Sequence, residues 1–363
     1  MQFIDLQKQY ALYKDEIRGE MDKVLDTGRF ILGPAVSELE SDLAAFTGVK
    51  HAIGCGSGTD ALLLALMALE LKPGDEVIVP DFTFFATAEV VSLLGGVPVF
   101  VDIQPDTCNI DPDKIEAKIT SRTRGIIAVS LYGQCADFDA LSRIAGRHRL
   151  FLIEDAAQSF GATYKGRKSG ALCRLATTSF YPAKPLGAYG DAGALFTDDD
   201  SLAERLRNLL NHGQVANYRH RFVGLNGRLD SLQAAVLKVK LRHFPEELER
   251  RQQVASWYGA ELAGVVQLPL IRSGNRSSWA QYTVRSPHRS RIQEHLKSRG
   301  IPTAIHYPMA VHQQEAYSGL RIADEELAES VRASREVLSL PMHPFLSRQE
   351  VAAVASAIRE SLQ

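Results

Sequence analysis

Residues 51–71 read HAIGCGSGTDALLLALMALEL: a short apolar run, a glycine-rich turn, then a longer run rich in alanine and leucine. The first part has the length of a buried strand and the last the length of a helix, with the glycines punctuating the join. The unit recurs. DEVIVPDF (75–82) runs into TFFATAEVVSLLG (83–95), VPVFVDI (97–103) into DPDKIEAKIT (111–120), and TRGIIAVSL (123–131) into DFDALSRIAGRHR (137–149). LFLIEDAA (150–157), TTSFYP (177–182) and AGALFT (192–197) supply further strands. Continuous apolar strands alternating with helices predict an α/β sandwich around a parallel sheet buried on both faces. In such folds ligands bind outside the carboxyl ends of the strands.

The flanks read differently. Residues 12–27 form an amphipathic helical pattern, broken by TGRFILGP (27–34), and AVSELESDLAAFTG (35–48) is a second helix. RLDSLQAAVLKVKLRHF (228–244) and EELERRQQVASWYGAELA (246–263) are helical and lead into a smaller α+β region. There WAQYTVRS (279–286) reads as a strand and SRIQEHLKSRG (290–300) as a helix. A length of 363 residues exceeds one ordinary core, so two domains are expected, 1–240 and 241–363.

A hydrophobic share of 45% with 23% charged residues is that of a globular protein, and a net charge of −2 gives no pull toward nucleic acid or acidic membranes. The opening residues lack the basic and apolar regions of a secretory signal, and no apolar stretch has membrane-spanning length. Cys55, Cys108, Cys135 and Cys173 are scattered without metal spacing. A cytoplasmic protein with reduced structural thiols and no bound metal is the expectation. The sequon at Asn275 is then without consequence.

Three motifs carry chemistry. GCGSGTDALLLAL (54–66) opens a helix with a glycine turn, whose free N–H groups and dipole suit an anion, with the Thr59 hydroxyl in reach. A turn capped by Ser57 or Thr59 is the alternative. No Walker lysine is present, and the third glycine of a dinucleotide fingerprint is missing. LFLIEDAAQSFGATYKG (150–166) ends a buried strand on Glu154 and Asp155, with Gln158 following. Asp155 suits a protonated ring nitrogen and Gln158 the ring's substituents; Glu154 reads as a cap or salt-bridge partner. SFYPAKPLGAYGDAGAL (179–195) carries a lone lysine, Lys184, in a charge-poor segment after Ser179. A desolvated, charge-poor setting lets an amine spend time neutral, as a nucleophile requires; an isolated lysine is otherwise a surface residue. Phosphate anchor, ring-nitrogen partner, ring contact and Schiff-base lysine are the four functions that pyridoxal 5′-phosphate needs.

GSGTDAL, EDAAQSFGA, SFYPAKPLGAYGD, NGRLDSLQAA (226–235) and HYP (306–308) together resemble the DegT/DnrJ/EryC1/StrS family of sugar-nucleotide aminotransferases. The likeness runs from FIDLQKQY (3–10) to SLPMHPFL (339–346). It implies PLP-dependent transferase fold type I, aspartate aminotransferase-like, with a three-layer α/β/α large domain and a smaller C-terminal α+β domain. It also implies roles. Lys184 forms the Schiff base, Asp155 pairs with the pyridine nitrogen, and Gln158 contacts the O3′ region. Gly58, Thr59 and Ser179 hold the phosphate. Phe84 stacks on the ring, a position that core packing would also explain. Asn226 reaches the phosphate of a neighbouring subunit's cofactor, making a homodimer with active sites at the subunit interface. Gly28, Phe30, Arg228, His306 and Tyr307 match positions that hold the nucleotide sugar. Arg228 suits a carboxylate, although relatives acting on neutral sugars also have arginine there, and His306 also reads as a packed loop histidine.

Within the family, VSLYGQCADFDA (129–140) and the Lys184–Pro185 pair resemble the bacterial branch that aminates C3 of UDP-2-acetamido-2-deoxy-3-oxo-D-glucuronate, with L-glutamate as donor, for O-antigen sugars. Pro185 stands where most of the family has asparagine. Ala192 stands where many have glycine, placing a methyl near the cofactor wall. A dehydratase branch has histidine in place of the lysine, so Lys184 implies transamination. The rivals are the same chemistry on a dTDP-3-keto or GDP-4-keto sugar, a PLP-binding regulator without turnover, and a nicotinamide-dependent dehydrogenase.

Overall fold

The structure is a computed structural model and describes residues 1–363. Its centre is a seven-stranded sheet of β1 (His51–Cys55), β2 (Glu76–Pro80), β3 (Val97–Val101), β4 (Thr123–Val129), β5 (Phe151–Asp155), β6 (Leu175–Ser179) and β7 (Gly193–Thr197). In space they run β1-β7-β6-β5-β4-β2-β3. The strands from β3 across to β6 are parallel, but β7 is antiparallel to both β6 and β1. The sheet is therefore mixed, where the apolar runs predicted a parallel one. An apolar run fully buried on both faces reads the same in either direction, so periodicity carries no information about strand polarity.

Helices cover both faces. On one side lie α3 (Gly58–Ala68), α4 (Ala86–Leu93) and α6 (Asp200–Leu209), whose Leu62, Leu64, Val90, Val91 and Leu206 pack with Ile53, Val79 and Ile153 of the sheet. On the other side, α2 (Pro34–Thr47) and the long α7 (Ser231–Leu262) join a cluster with Phe160, Phe180, Phe196 and Phe244. α1 (Leu6–Thr27) lies along α7, and α5 (Phe138–His148) buries Phe138, Leu141 and Ile144. No helix is long and apolar enough to cross a membrane.

Two local expectations change. DPDKIEAKIT is not a helix but two 3-10 turns, Pro112–Lys114 and Glu116–Lys118. Ile115 is its one fully buried large apolar residue, so the segment has no apolar face to repay a helix. The two helical stretches after residue 228 are one helix, α7, which continues through Pro245. Phe244 and Leu248 on either side of the proline are buried in the same cluster, and this packing outweighs the missing hydrogen bond.

The far end of α7 contributes Val254, Tyr258 and Leu262 to a separate core. That core holds the antiparallel pair β8 (Tyr282–Arg285) and β9 (Val337–Leu340), with α8 (Arg289–Ser298) and α10 (Arg348–Leu362); α9 (Ala328–Glu336) leads into β9. The four cysteines are unpaired thiols, with Cys55, Cys108 and Cys135 buried.

Candidate active site

The parallel strands deliver their carboxyl ends to one edge, where the sequence motifs meet. Asp155 is the last residue of β5 and is 5% exposed. Its Oδ1 accepts from the Ala157 N–H (3.0 Å) and its Oδ2 from the Thr87 hydroxyl (3.4 Å). Burial pushes its carboxyl above the usual range, while the Lys184 ammonium opposes that shift. The same burial lowers the Lys184 amine, and Asp155 opposes it in turn. Lys184 has no hydrogen-bonded or ion-pair partner on its Nζ. An acid and an amine are thus coupled at a strand edge, and burial disfavours the charged form of each.

Lys184 lies in the loop joining β6 to β7, where its N–H donates to the Tyr181 carbonyl (2.8 Å). Ser179, at the end of β6, pairs with Gly193 of β7, which also pairs with Cys55 of β1. The turn after β1 crosses directly over this row. A methyl carbon on Gly193 would stand 2.4 Å from the Ser57 carbonyl, and one on Gly58 would stand 2.6 Å from Cβ of Ser179. Only hydrogen fits at either place. Ser57 caps α3 by accepting from the Asp60 N–H (3.0 Å), so the capped-turn reading holds, and the N–H end of α3 still faces Ser179.

A segment from the far region closes the site. The Tyr307 hydroxyl accepts from Gln158 Nε2 (2.9 Å), and Gln158 Oε1 accepts from the Tyr132 N–H (3.0 Å). The Tyr307 ring lies between Phe82 (6.1 Å) and Phe84 (6.2 Å). Burial, Asp155 nearby and the Gln158 contact set the Tyr307 phenol, and burial wins, raising it. Phe84 remains 57% exposed, an aromatic face open to solvent above the strand ends. His306 pairs through Nδ1 with the Ser339 hydroxyl (2.9 Å), and burial, aided by Lys184, brings it down to about 4. Its imidazole is neutral at neutral pH.

The structure thus brings together Lys184, Asp155, Gln158, Ser179, Gly58 with Thr59 after it, Phe84, His306 and Tyr307. Asn226 and Arg228 lie against the back of the β1–α3 turn: Gly56 N donates to Gly227 O (2.9 Å) and Arg228 pairs with Cys55. Arg228 Nη1 donates to Asn211 Oδ1 (2.7 Å), while its buried Nε has no partner. Gly28 is the left-handed cap of α1, and Phe30 is exposed with its carbonyl held by Ser231 N–H (3.0 Å). Neither makes a hydrogen bond to Lys184, Asp155 or Gln158.

Glu154 points to the opposite face, where it accepts from Ser169 Oγ (2.6 Å) and Leu172 N (3.2 Å) without any cation, and burial takes it up to about 7. Ala192 packs with Phe180, Leu186 and Ala188 in the apolar cluster under the loop, so its methyl fills core. The sequence motifs did not reveal Thr87, Tyr132 or Ser339. Only Tyr132 left a local trace, an aromatic before a glycine. It adopts φ 57°, and Gly133 at φ 110° meets the backbone of Trp279 so closely that no Cβ fits.

A glycine turn at a helix N-terminus, an open aromatic face, a buried strand-end carboxylate and an unpartnered amine suit a pyridoxal-phosphate enzyme. The chain matches the DegT/DnrJ/EryC1/StrS aminotransferase family over residues 12–359, and it belongs to that family. It is 51% identical over 361 residues to the UDP-2-acetamido-2-deoxy-3-oxo-D-glucuronate aminotransferase of Pseudomonas aeruginosa, covering 99% of each chain. A DegT/DnrJ/EryC1/StrS aminotransferase from Brucella abortus superposes with a TM-score of 0.97 at 44% identity, covering 99% of each chain. NtdA from Bacillus subtilis, solved with bound cofactor PMP, gives 0.88 at 33% identity, covering 95% of this chain and 82% of that one. The protein is a transaminase and its cofactor is pyridoxal phosphate.

Proposed function

We propose that this transaminase moves an amino group from L-glutamate to the C3 ketone of UDP-2-acetamido-2-deoxy-3-oxo-D-glucuronate. The product would be a 3-amino sugar for O-antigen or related surface polysaccharide, made in the cytoplasm. The observation that carries the reading is the partnerless Lys184 amine facing buried Asp155, in a chain 51% identical to an enzyme named for that substrate.

Bound pyridoxal phosphate supplies an electron sink that stabilises negative charge at the donor's Cα. The protein's residues do the rest. Lys184 would hold the cofactor through Nζ, and its amine, when free, would take the proton from Cα as general base. Asp155, kept in place by Thr87 and Ala157, would pair with the ring nitrogen and favour its protonated form. Gly58, Thr59 and Ser179 take the phosphate at the N-terminus of α3. Phe84 would cover one ring face, and Gln158 would contact the ring's hydroxyl side. His306 and Tyr307 exclude water and border the sugar, with His306 neutral and so available as a donor or an acceptor.

Asn226 acts from a second copy in a homodimer whose sites lie between subunits, and Gly28, Phe30 and Arg228 hold the nucleotide sugar. Arg228 is suited to the uronate carboxylate because its planar guanidinium can bind two oxygens. Residues 1–240 serve as the cofactor-binding domain and 241–363 as the small domain, with α7 shared between them.

The test is a panel of keto sugar nucleotides with glutamate as donor, comparing 3-oxo and 4-oxo UDP- and dTDP-sugars. The 3-oxo-uronate should be aminated fastest, and its rate should drop when the carboxylate is replaced by CH2OH. A dTDP-3-keto or 4-keto deoxysugar turned over faster would reassign the substrate within the same chemistry.

A further inference from the structure

Lys240 is a lysine in the wrong place for a lysine. It sits on α7 at 2% exposure and makes no salt bridge. Its ammonium donates to the carbonyl of Gly187 and lies 4.9 Å from the ring centroid of Tyr189. The nearby carboxylate, Glu247, is taken by Gln9 (2.9 Å) and Tyr13 (3.0 Å). Burial brings the amine down to about 8. A methionine would fill this space without desolvating a charge, so the charge is retained at a cost to stability.

Its partners are in the loop that carries Lys184. About two helical turns earlier on the same face of α7, Gln233 accepts from Tyr189 N–H (2.9 Å) through Oε1. Its Nε2 points back at the Tyr189 carbonyl (3.4 Å). The helix therefore grips the loop at Gly187 and Tyr189. Gly187 in turn is folded onto the turn that bears the lysine. A methyl on it would stand 2.5 Å from the Pro182 carbonyl and 2.7 Å from that of Tyr181, the group that receives the Lys184 N–H.

We propose that Gln233 and Lys240 form a clamp on α7 that positions the Lys184 loop, with Lys240 acting on Lys184 through Gly187. Lys240 is a positioning residue: its role is to fix the amine's starting point relative to Asp155. A charged donor suits this because hydrogen bonds to charged groups are the stronger kind and hold their direction.

The inference rests on Lys184 holding the cofactor, and the experiment separates the two. The holoenzyme's cofactor absorbance is titrated with pH, and steady-state kinetics are taken, for the parent, Lys240→Met, Gln233→Leu and Val239→Ala. Val239 is a buried neighbour on α7 whose truncation tests plain loss of packing. Loss of the lysine-linked absorbance in the parent itself would remove the Lys184 reading. With that absorbance present, Lys240→Met should move the spectral midpoint by about half a pH unit or more. Its kcat should fall about tenfold, with KM for both substrates within about twofold. Val239→Ala should leave the midpoint in place. An unchanged midpoint and kcat in Lys240→Met, or an equal shift in Val239→Ala, overturns the proposal. If Lys240→Met does not fold, Gln233→Leu decides: a shifted midpoint supports the clamp and an unshifted one overturns it.

Discussion

A carbon on Gly58 would stand 2.6 Å from Cβ of Ser179, which joins the start of α3 to the end of β6 with no space between them. Gly58→Ala should therefore push Ser179 out of line rather than settle into a gap. We expect the apoprotein to lose about 1–3 kcal/mol, as overpacking does. Affinity for pyridoxal phosphate should fall about tenfold or more, since a displaced donor misses the phosphate. Denaturation of the apoprotein and a cofactor titration read the two effects separately. Unchanged cofactor affinity would remove Gly58 and Ser179 from the phosphate site.

Lys184→Ala should abolish turnover and the lysine-linked absorbance of the holoenzyme. Loss of a base and a covalent anchor together predicts a drop of at least ~10^3-fold. The amine makes no hydrogen bond, and Asp155 keeps its Ala157 and Thr87 donors, so the apoprotein's circular dichroism should stay that of the parent. Residual activity near the parent's would end the assignment.

Tyr307→Phe removes the oxygen that receives Gln158 Nε2, leaving a buried amide donor unpaired. A loss of about 1–3 kcal/mol is expected from denaturant unfolding. A variant as stable as the parent would mean that the Gln158–Tyr307 bond carries no weight.

His306 gives a prediction of definite sign. Burial holds its imidazole near 4 in the fold against 6.5 in the open chain. Between those values the unfolded chain binds the extra proton, so this residue costs stability as pH falls from 6.5 toward 4. His306→Asn lacks that titration. The stability gap between parent and variant should shrink over that window and stay constant above pH 7.

Glu154 runs the other way. Its carboxyl is raised from 4.5 to about 7, so the folded state holds the proton that the unfolded chain gives up. Stability from this group is lost as pH rises from 4.5 to 7. Glu154→Gln should gain on the parent across that window in chemical denaturation, and the gain should level off above pH 7. A difference that does not change with pH would place Glu154 outside the titrating set.

What was legible in the sequence followed from local pattern. Strand–turn–helix units, the glycine turn at 56–58, the acid at the end of β5 and the isolated Lys184 are each encoded in one short stretch of sequence. The rest depends on segments that meet only in the fold. Ser339 reaches His306 from β9, Thr87 reaches Asp155 from α4, and Tyr132 reaches Gln158 by a backbone turn in left-handed geometry. Glu154 illustrates the limit well. It neighbours Asp155 in sequence, yet strand alternation sends it to the opposite face, where it meets hydroxyl and amide donors rather than a cation. The direction of β7 and the continuation of α7 through Pro245 were set by packing that no short stretch of sequence records.

The reversed direction of β7 has a mechanical consequence. Because β6 and β7 are antiparallel neighbours, the segment carrying Lys184 leaves and re-enters the sheet through one doorway, the Ser179–Gly193 pair. A parallel neighbour would have required a crossover, and the lysine would ride on a long, compliant connection. Here both ends of the loop are tethered beside the start of α3. Under the proposed function Lys184 would move by turning its own side-chain bonds, while the pairing at Ser179 and Gly193 holds the backbone.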